Sequence, residues 1–484
     1  MGLLGILVGL ALLIWLAFRG WSVLLLAPAA ALVAAVFGRE PLLAHWTQTF
    51  MGSAANFFAQ FFPLFLLGAV FGKLMEDTGS VSAIARFTVE RLGAGRAVLA
   101  VVLAGALVTY GGVSLFVAFF VLAPMAQELF RSASIPRRLM PAAIVLGTST
   151  FTMSALPGTP SIQNAIPMPF FSTTPFAAPG LGIIASAVML GFGLWWLHRE
   201  ETRARAMGEG FGEGSPASAD HLAGDELLRE RATTAREFDP AELTHGSSAK
   251  GLPPIAKAAL PLLVVIAVNL LMSLAVLPRL DAGYLAEPRW GGTTLSAVAG
   301  VWSVVTALTC AIVAAVAVNW KQLPDLRQSM DAGVNASVLP AVSVASLVGF
   351  GAVVAAMPAF DAVRDWVLGI GGGPLVSLAV ATNLLAALTG SASGGLTIAL
   401  DALADTYVAR AAEIGLNPAL LHRVAVIGAG TLDSLPHNGA VVTLLAVCGS
   451  THRESYRDIV MVGIVNAILA LVAVILLGSA FGSF

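Results

Sequence analysis

The chain has 484 residues, 57% of them hydrophobic and only 11% charged, with a mean hydropathy of +0.85 and a formal net charge of −2. A water-soluble domain carries roughly twice that charged fraction, so the composition excludes a soluble enzyme with a single anchor and predicts a polytopic membrane protein. The near-neutral balance gives no basis for nucleic-acid binding.

In chain order, ten apolar runs are long enough to span a bilayer, which takes about 20 residues or slightly fewer. They lie near 3–18, 21–37, 55–74, 138–165, 179–197, 255–277, 294–319, 333–356, 419–449 and 458–480. The first has no small-residue cleavage site before the apolar pattern resumes at Trp21, and reads as a retained helix. Two further stretches, 97–130 and 374–409, are split near their middles by small residues, at Tyr110-Gly-Gly-Val-Ser114 and Gly390-Ser-Ala-Ser-Gly-Gly395. Each half is short for a full crossing, which predicts two re-entrant hairpins with their tips at mid-membrane. The runs 138–165 and 419–449 are overlong and interrupted at Ser154-Ala-Leu-Pro-Gly158 and Ser434-Leu-Pro-His-Asn438, which predicts two broken helices. Cys310 and Cys448 sit inside apolar runs and carry neither disulfide nor metal logic.

Between about 199 and 253 the chain is polar and rich in Glu, Arg, Gly and Ser, as a disordered or loosely helical linker would be. It divides the chain into a first transmembrane repeat, 1–198, a polar cytoplasmic linker, 199–253, and a second repeat, 254–484. Each repeat reads as three spans, a hairpin, a broken span and a final span. Local sequence supports the parallel. Leu92-Gly-Ala-Gly-Arg96 precedes the first hairpin and Leu368-Gly-Ile-Gly-Gly372 the second, while Ile135-Pro136 and Asn417-Pro418 open the broken helices. Five crossings per repeat is an odd number, so the second repeat is inverted relative to the first. The predicted fold class is an all-α polytopic membrane protein of two inverted repeats, each of five transmembrane helices with a re-entrant hairpin and a broken helix.

With the linker in the cytoplasm, twelve Lys and Arg outside it fall on the inner side. Six, Arg39, Arg279, Arg289, Arg364, Arg410 and Arg423, fall on the outer side. That is the bias of the positive-inside rule. Two amphipathic segments, 81–92 and 360–368, precede the hairpins and are expected in the interface plane.

Broken backbone and ionisable groups are expensive in hydrocarbon and are tolerated where they line a polar cavity. Unpaired N–H groups at helix N-termini suit a small anion. The candidate substrate-binding residues are therefore those at the two tips and two breaks: Gly111, Gly112, Ser114, Ser154, Gly158, Thr159, Ser391, Ser393, Thr431, Ser434 and Asn438. Asp433 and His437 are the candidate proton carriers, since both exchange protons as their surroundings change. Asp401 and Asp405 are weaker candidates, and Asn164 and Asn383 read as structural hydrogen-bonders. No Walker-type loop, His/Cys cluster, HExxH helix or Gly-x-Ser-x-Gly elbow is present, so no catalytic residue, metal or cofactor is expected.

The run Thr431-Leu-Asp-Ser-Leu-Pro-His-Asn-Gly-Ala-Val-Val-Thr443, the segment from Cys448 to Asp458, and Ser154-Ala-Leu-Pro-Gly-Thr-Pro-Ser-Ile-Gln-Asn164 resemble the gluconate permease (GntP) family, in the ion transporter superfamily of secondary carriers. The resemblance covers most of the chain outside the linker. It implies inverted repeats, a scaffold with a moving transport unit, a homodimer, and proton-coupled uptake of organic acids such as gluconate, other sugar acids, hydroxybutyrate or D-serine. The superfamily's typical Ser-Asn-Thr at hairpin tips is absent, which favours protons over sodium.

The expectation is a proton-coupled importer of a small hydroxy-monocarboxylate in the bacterial inner membrane, with the organic anion, protons and lipid as partners. Alternatives are a sodium-coupled carboxylate carrier of the same fold and an integral-membrane enzyme using Asp433 and His437.

Overall fold

In hydrocarbon every backbone N–H and C=O must pair within its own segment, so apolar runs without a strong stop fold as long helices. The computed structural model describes residues 2–18, 21–212, 251–323, 325–436 and 438–484, and their regular structure is helical throughout. Helices α1 (Gly2–Phe18) and α2 (Val23–Gly38) pack on each other and lead into α3 (Leu42–Asp77). The amphipathic α4 (Ser80–Leu92) follows, burying Val81, Ile84 and Ala85 while Arg86 and Glu90 pair in solvent. Next come α5 (Ala97–Tyr110), α6 (Leu115–Ser132), α7 (Met140–Thr148), α8 (Phe151–Ser154), α9 (Ile162–Ala165), α10 (Pro167–Phe171) and α11 (Pro179–Ala206).

The second half contains α12 (Ile255–Arg279), α13 (Leu295–Asn319), α14 (Leu326–Ala355), the amphipathic α15 (Phe360–Leu368), α16 (Gly373–Thr389), α17 (Ala392–Glu413), α18 (Pro418–Thr431), α19 (Gly439–Val447) and α20 (His452–Phe481). By length and composition α3, α6, α11, α12, α13, α14 and α20 are long and apolar enough to cross a membrane, which makes this a multi-pass membrane protein. Three of them contain one wider π-helical turn: His45–Phe50 in α3, Met272–Val276 in α12 and Val460–Val465 in α20.

Several boundaries differ from the sequence reading, each for a local reason. Helix α3 starts well before residue 55, because Thr47 and Gln48 lie exposed and Thr47 Oγ1 satisfies the Leu43 carbonyl at 2.7 Å, so polar residues do not end it. Helix α11 runs on into the expected linker, held by the Arg205–Glu201 pair at 2.8 Å one turn apart. The remaining expected linker, 213–250, lies outside the described residues. The hairpin arms are longer than expected. The 22 residues of α17 rise about 33 Å at 1.5 Å each, and the 18 of α6 suffice for a crossing.

The second turn is also narrower than the small-residue run 390–395. Ser391 caps α17 by accepting from the Gly394 N–H at 3.2 Å, so Ser393, Gly394 and Gly395 are already helical. Gly395 packs against the backbone of Ala386 on α16, a place with no room for a Cβ.

Helices α3 and α14 form the most extensive helix pair. Their backbones meet at Gly333, where a Cβ would stand 2.6 Å from the Val70 Cα, the small-residue contact typical of membrane helices. One apolar core, with Phe61, Phe71, Phe116 and Phe130, joins α3 to α5–α7, α12 and α13. A second, with Leu378, Tyr407, Leu421 and Ile427, joins α16–α18 to α11 and α20. A charged cluster ties three elements together where these cores end. Arg138 donates to Asp458 at 2.9 Å and to Glu209 at 2.9 Å, Trp196 Nε1 donates to Asp458 at 3.0 Å, and the buried Glu200 lies 3.8 Å from Arg138, Arg199 and Arg457.

Candidate functional site

The two expected broken spans are broken in the structure. Helices α7 and α8 give way at Ala155 to a loop with Pro157, Gly158 and Pro160, and α18 ends in a tight turn at Leu432–Ser434 before α19 begins. The breaks cross each other: Ser154 stands against Gly430, with a 3.2 Å approach to where a Gly430 Cβ would be. Ser154 Oγ donates to the Thr150 carbonyl, and Thr431 Oγ1 donates to the Ile427 carbonyl, so both hydroxyls serve their own helices.

A cavity of about 170 Å³ lies between the α3–α14 pair and the first tip. Of the predicted residues it gathers Gly112, Ser114 and Ser393. Gly112 needs its positive φ of 96° to turn the chain from α5 toward α6. Ser114 is the N-cap of α6 but its hydroxyl makes no capping bond. The cavity also takes in Thr109, Ser161, Gln163 and Ser337, which the sequence reading did not select. Among its described lining residues none is Asp, Glu, Lys, Arg or His.

The other predicted residues lie elsewhere. Gly111 packs on Leu262. Gly158 sits beneath Phe176 with a φ of 80°, its N–H on the Pro175 carbonyl at 2.9 Å and its carbonyl accepting from Asn269 at 2.9 Å. Thr159 is buried, its Oγ1 has no hydrogen-bond partner among the described residues, and its carbonyl accepts from Asn164. The Ser434 carbonyl accepts from Tyr456 at 3.2 Å.

Ser391, Asp433 and Asn438 converge on the second tip. Asp433 Oδ1 accepts from the Ala392 N–H at 3.0 Å and from Asn438 Nδ2 at 2.8 Å. Asn438 Nδ2 also reaches the Gly390 carbonyl at 2.9 Å, while its Oδ1 caps α19 at Ala440. One carboxylate thus holds the first N–H of α17 and the loop that begins α19. His437 lies outside the described residues.

Two fully buried residues were passed over. Arg423, counted with the outer charges in the sequence reading, is instead enclosed in the protein: it donates to the Ala177 carbonyl at 2.6 Å and to the Ser154 carbonyl at 3.3 Å. His422 Nδ1 meets Thr173 Oγ1 at 2.6 Å and Nε2 meets Asn164 Oδ1 at 3.1 Å. Asn164 spends its own amide hydrogens on the Thr159 and Pro175 carbonyls, so its Oδ1 accepts, and a neutral imidazole with its proton on Nε2 satisfies the network. The available signal was a His-Arg pair inside the apolar run from Leu420 to Val426, where an ionisable residue is a site candidate by default.

An uncharged, mainly apolar cavity with a few hydroxyls and one amide, set against helix turns in a multi-pass membrane protein, fits the class of a small-solute transporter. The chain belongs to the GntP permease family, and with it to the transporters rather than the enzymes. A family model described as GntP family permease matches residues 1–168. The chain is 39% identical over 488 residues to "Uncharacterized transporter YxjC" of Bacillus subtilis (strain 168), covering 98% of both proteins. It is 30% identical over 162 residues to "High-affinity gluconate transporter" of Escherichia coli (strain K12), covering 33% of this chain and 35% of that protein. Among solved structures, the YdaH transporter of Alcanivorax borkumensis superposes with a TM-score of 0.52 at 17% identity, covering 98% of this chain and 99% of that one. MtrF of Neisseria gonorrhoeae, from a class of antimetabolite efflux pumps, gives 0.54 at 15% identity, covering 91% and 85%. At these identities the two structures speak to the fold alone.

Proposed function

We propose that this protein is a secondary active transporter that carries a small hydroxy-monocarboxylate, such as gluconate or hydroxybutyrate, inward with protons across a bacterial inner membrane. The carrying observation is the cavity between the α3–α14 pair and the α5–α6 tip. The Gln163 amide, the Ser114 hydroxyl and the start of α6 offer it donors, with no charged side chain among the described lining residues, so an anion held there is free to leave. A partial match to a gluconate transporter supports the substrate class.

In this reading the two halves on either side of 199–253 are inverted repeats, α5–α6 and α16–α17 are re-entrant hairpins, and the protein works as a homodimer. The spacing of matching helices supports it: each half has an amphipathic helix, a helix pair joined by a small-residue turn, and a broken helix in that order. Asp433 carries the proton, with His437 as its neighbour in sequence. An ionised carboxylate only accepts hydrogen bonds, and Asp433 spends that capacity on Ala392 and Asn438. Protonation weakens this hold on the α16–α17 turn, which couples proton binding to movement of the tip.

The test is uptake of radiolabelled gluconate and 3-hydroxybutyrate into proteoliposomes under an imposed inward proton gradient. Accumulation abolished by a protonophore and indifferent to sodium is the expected result. Accumulation that requires sodium and survives the protonophore overturns proton coupling.

A further inference from the structure

We propose that Gln163 reads a hydroxyl group on the transported acid; the inference rests on the transport reading above and names the group that gives the cavity its selectivity. Gln163 lies on α9, just past the first break, and is only 6% exposed, yet it lines the cavity. Among the described residues its side-chain amide has no hydrogen-bond partner. The polar residues around it are already engaged. Ser161 Oγ donates to the Met153 carbonyl at 2.8 Å and accepts from the Asn164 N–H, and Thr109 Oγ1 donates to the Gly105 carbonyl at 2.8 Å. Ser337 Oγ donates to the Val334 carbonyl at 2.7 Å.

An amide that faces a cavity and has no partner in the protein is open to a ligand or water that pairs with it. The chemistry of the amide then selects the ligand. It offers N–H donors and one acceptor oxygen. A carboxylate only accepts, so it satisfies the N–H side and leaves Oε1 unpaired. A hydroxyl donates and accepts, so it satisfies both. The carboxylate has a second place in the same cavity, at the start of α6, where the Ser114 hydroxyl makes no cap and the helix dipole is positive. Among the described lining residues none is acidic and able to hold an ammonium, so the same geometry disfavours amino acids. The ligand class is a hydroxy acid.

Two pairs of probes differ in hydroxylation at constant carbon count: 3-hydroxybutyrate against butyrate, and gluconate against hexanoate. Their affinities are measured by titration calorimetry on the full chain in lipid nanodiscs, for the wild type, Gln163→Met and Ser114→Leu. The wild type should bind the hydroxylated member of at least one pair about tenfold more tightly, the value of one well-made hydrogen bond. Gln163→Met keeps the chain length and strands no partner, so it should fold and bring the ratio to about one. Gln163→Asn, which withdraws the amide by one methylene, should lower the ratio too and serves if the Met variant does not purify. Ser114→Leu should weaken both members together.

A Gln163→Met or Gln163→Asn protein that keeps the wild-type ratio overturns the assignment and leaves the transport reading standing. A wild type that binds none of the four acids overturns both.

Discussion

Arg423, on α18, donates from Nη1 to the carbonyl oxygen of Ser154, 3.3 Å away and 269 positions earlier in the chain. A cation from the second half thereby closes the end of a broken helix in the first, and the same guanidinium takes the Ala177 carbonyl as well. Replacing it strands both carbonyls in a buried place. Arg423→Met should lower stability by about 3 kcal/mol, read as a drop in melting temperature of the detergent-purified protein. Arg423→Lys should recover little, since an ammonium lacks the planar fork that spans two acceptors. An unchanged melting temperature in the Met variant would show that water replaces the guanidinium.

Asp433→Asn keeps a carbonyl oxygen able to accept from Ala392 or Asn438, so the second tip should remain folded. What it loses is the exchangeable proton. Exchange of labelled for unlabelled gluconate should continue across the membrane, while accumulation driven by a proton gradient should fall at least about tenfold. Full accumulation by the variant would remove Asp433 as the proton carrier.

Glycines in the same chain should respond in opposite senses. Gly395→Ala places a methyl on the backbone of Ala386, an overpacking of about 1–3 kcal/mol that outweighs the better helix propensity of Ala. Gly191, in α11, has open space where its Cβ would stand, so Gly191→Ala should hold or raise stability by up to about 1 kcal/mol. Paired melting curves check the contrast, and equal shifts would contradict the close α16–α17 approach.

Arg138→Gln removes the cation paired with Asp458, which is about 1% exposed. Breaking a buried pair from one side leaves an uncompensated charge, at about 3–5 kcal/mol. The expected sign is a large loss of folded protein in the membrane, measured by fluorescence-detected size exclusion. Rescue by Asp458→Asn in the same background would identify the stranded carboxylate as the cause.

Much of the helix order was legible because hydrocarbon makes the chain's apolar runs and its helices nearly the same thing. The run 294–319 is α13 within a residue, and the segment 360–368 is α15. The breaks were legible too, since Pro436 and Pro157 interrupt runs too long for one crossing. Two kinds of feature were not. Counting crossings puts Arg423, near the start of the run 419–449, on the outer side, because a sequence shows a cation's neighbours along the chain and not the carbonyls folded around it. Gln163 stood inside a noted motif but was not singled out: whether an amide is used by the fold or left open depends on the partners around it, and Asn164 beside it is fully used. Of the tip and break residues, those that pack or cap, such as Gly158 and Ser391, look the same in sequence as those that face the cavity, such as Gly112 and Ser393.

The π turn of α20 at Val460–Val465 has a consequence for comparing related chains. A turn that takes one more residue than an α-helix allows offsets the side chains beyond it by about 100°. Here that offset lets Asp458, before the turn, meet Arg138, while Asn466, just after it, donates to the Met189 carbonyl at 2.7 Å and Ala467, Ala470, Leu471 and Val474 stay buried. Removing a single residue within the turn would therefore not shorten the helix so much as rotate its whole second part, swinging the buried stripe toward lipid. A relative that lacks the extra residue aligns through α20 only with a one-position gap at this turn, and an alignment that slides past it mispairs every residue from Asn466 to Phe481.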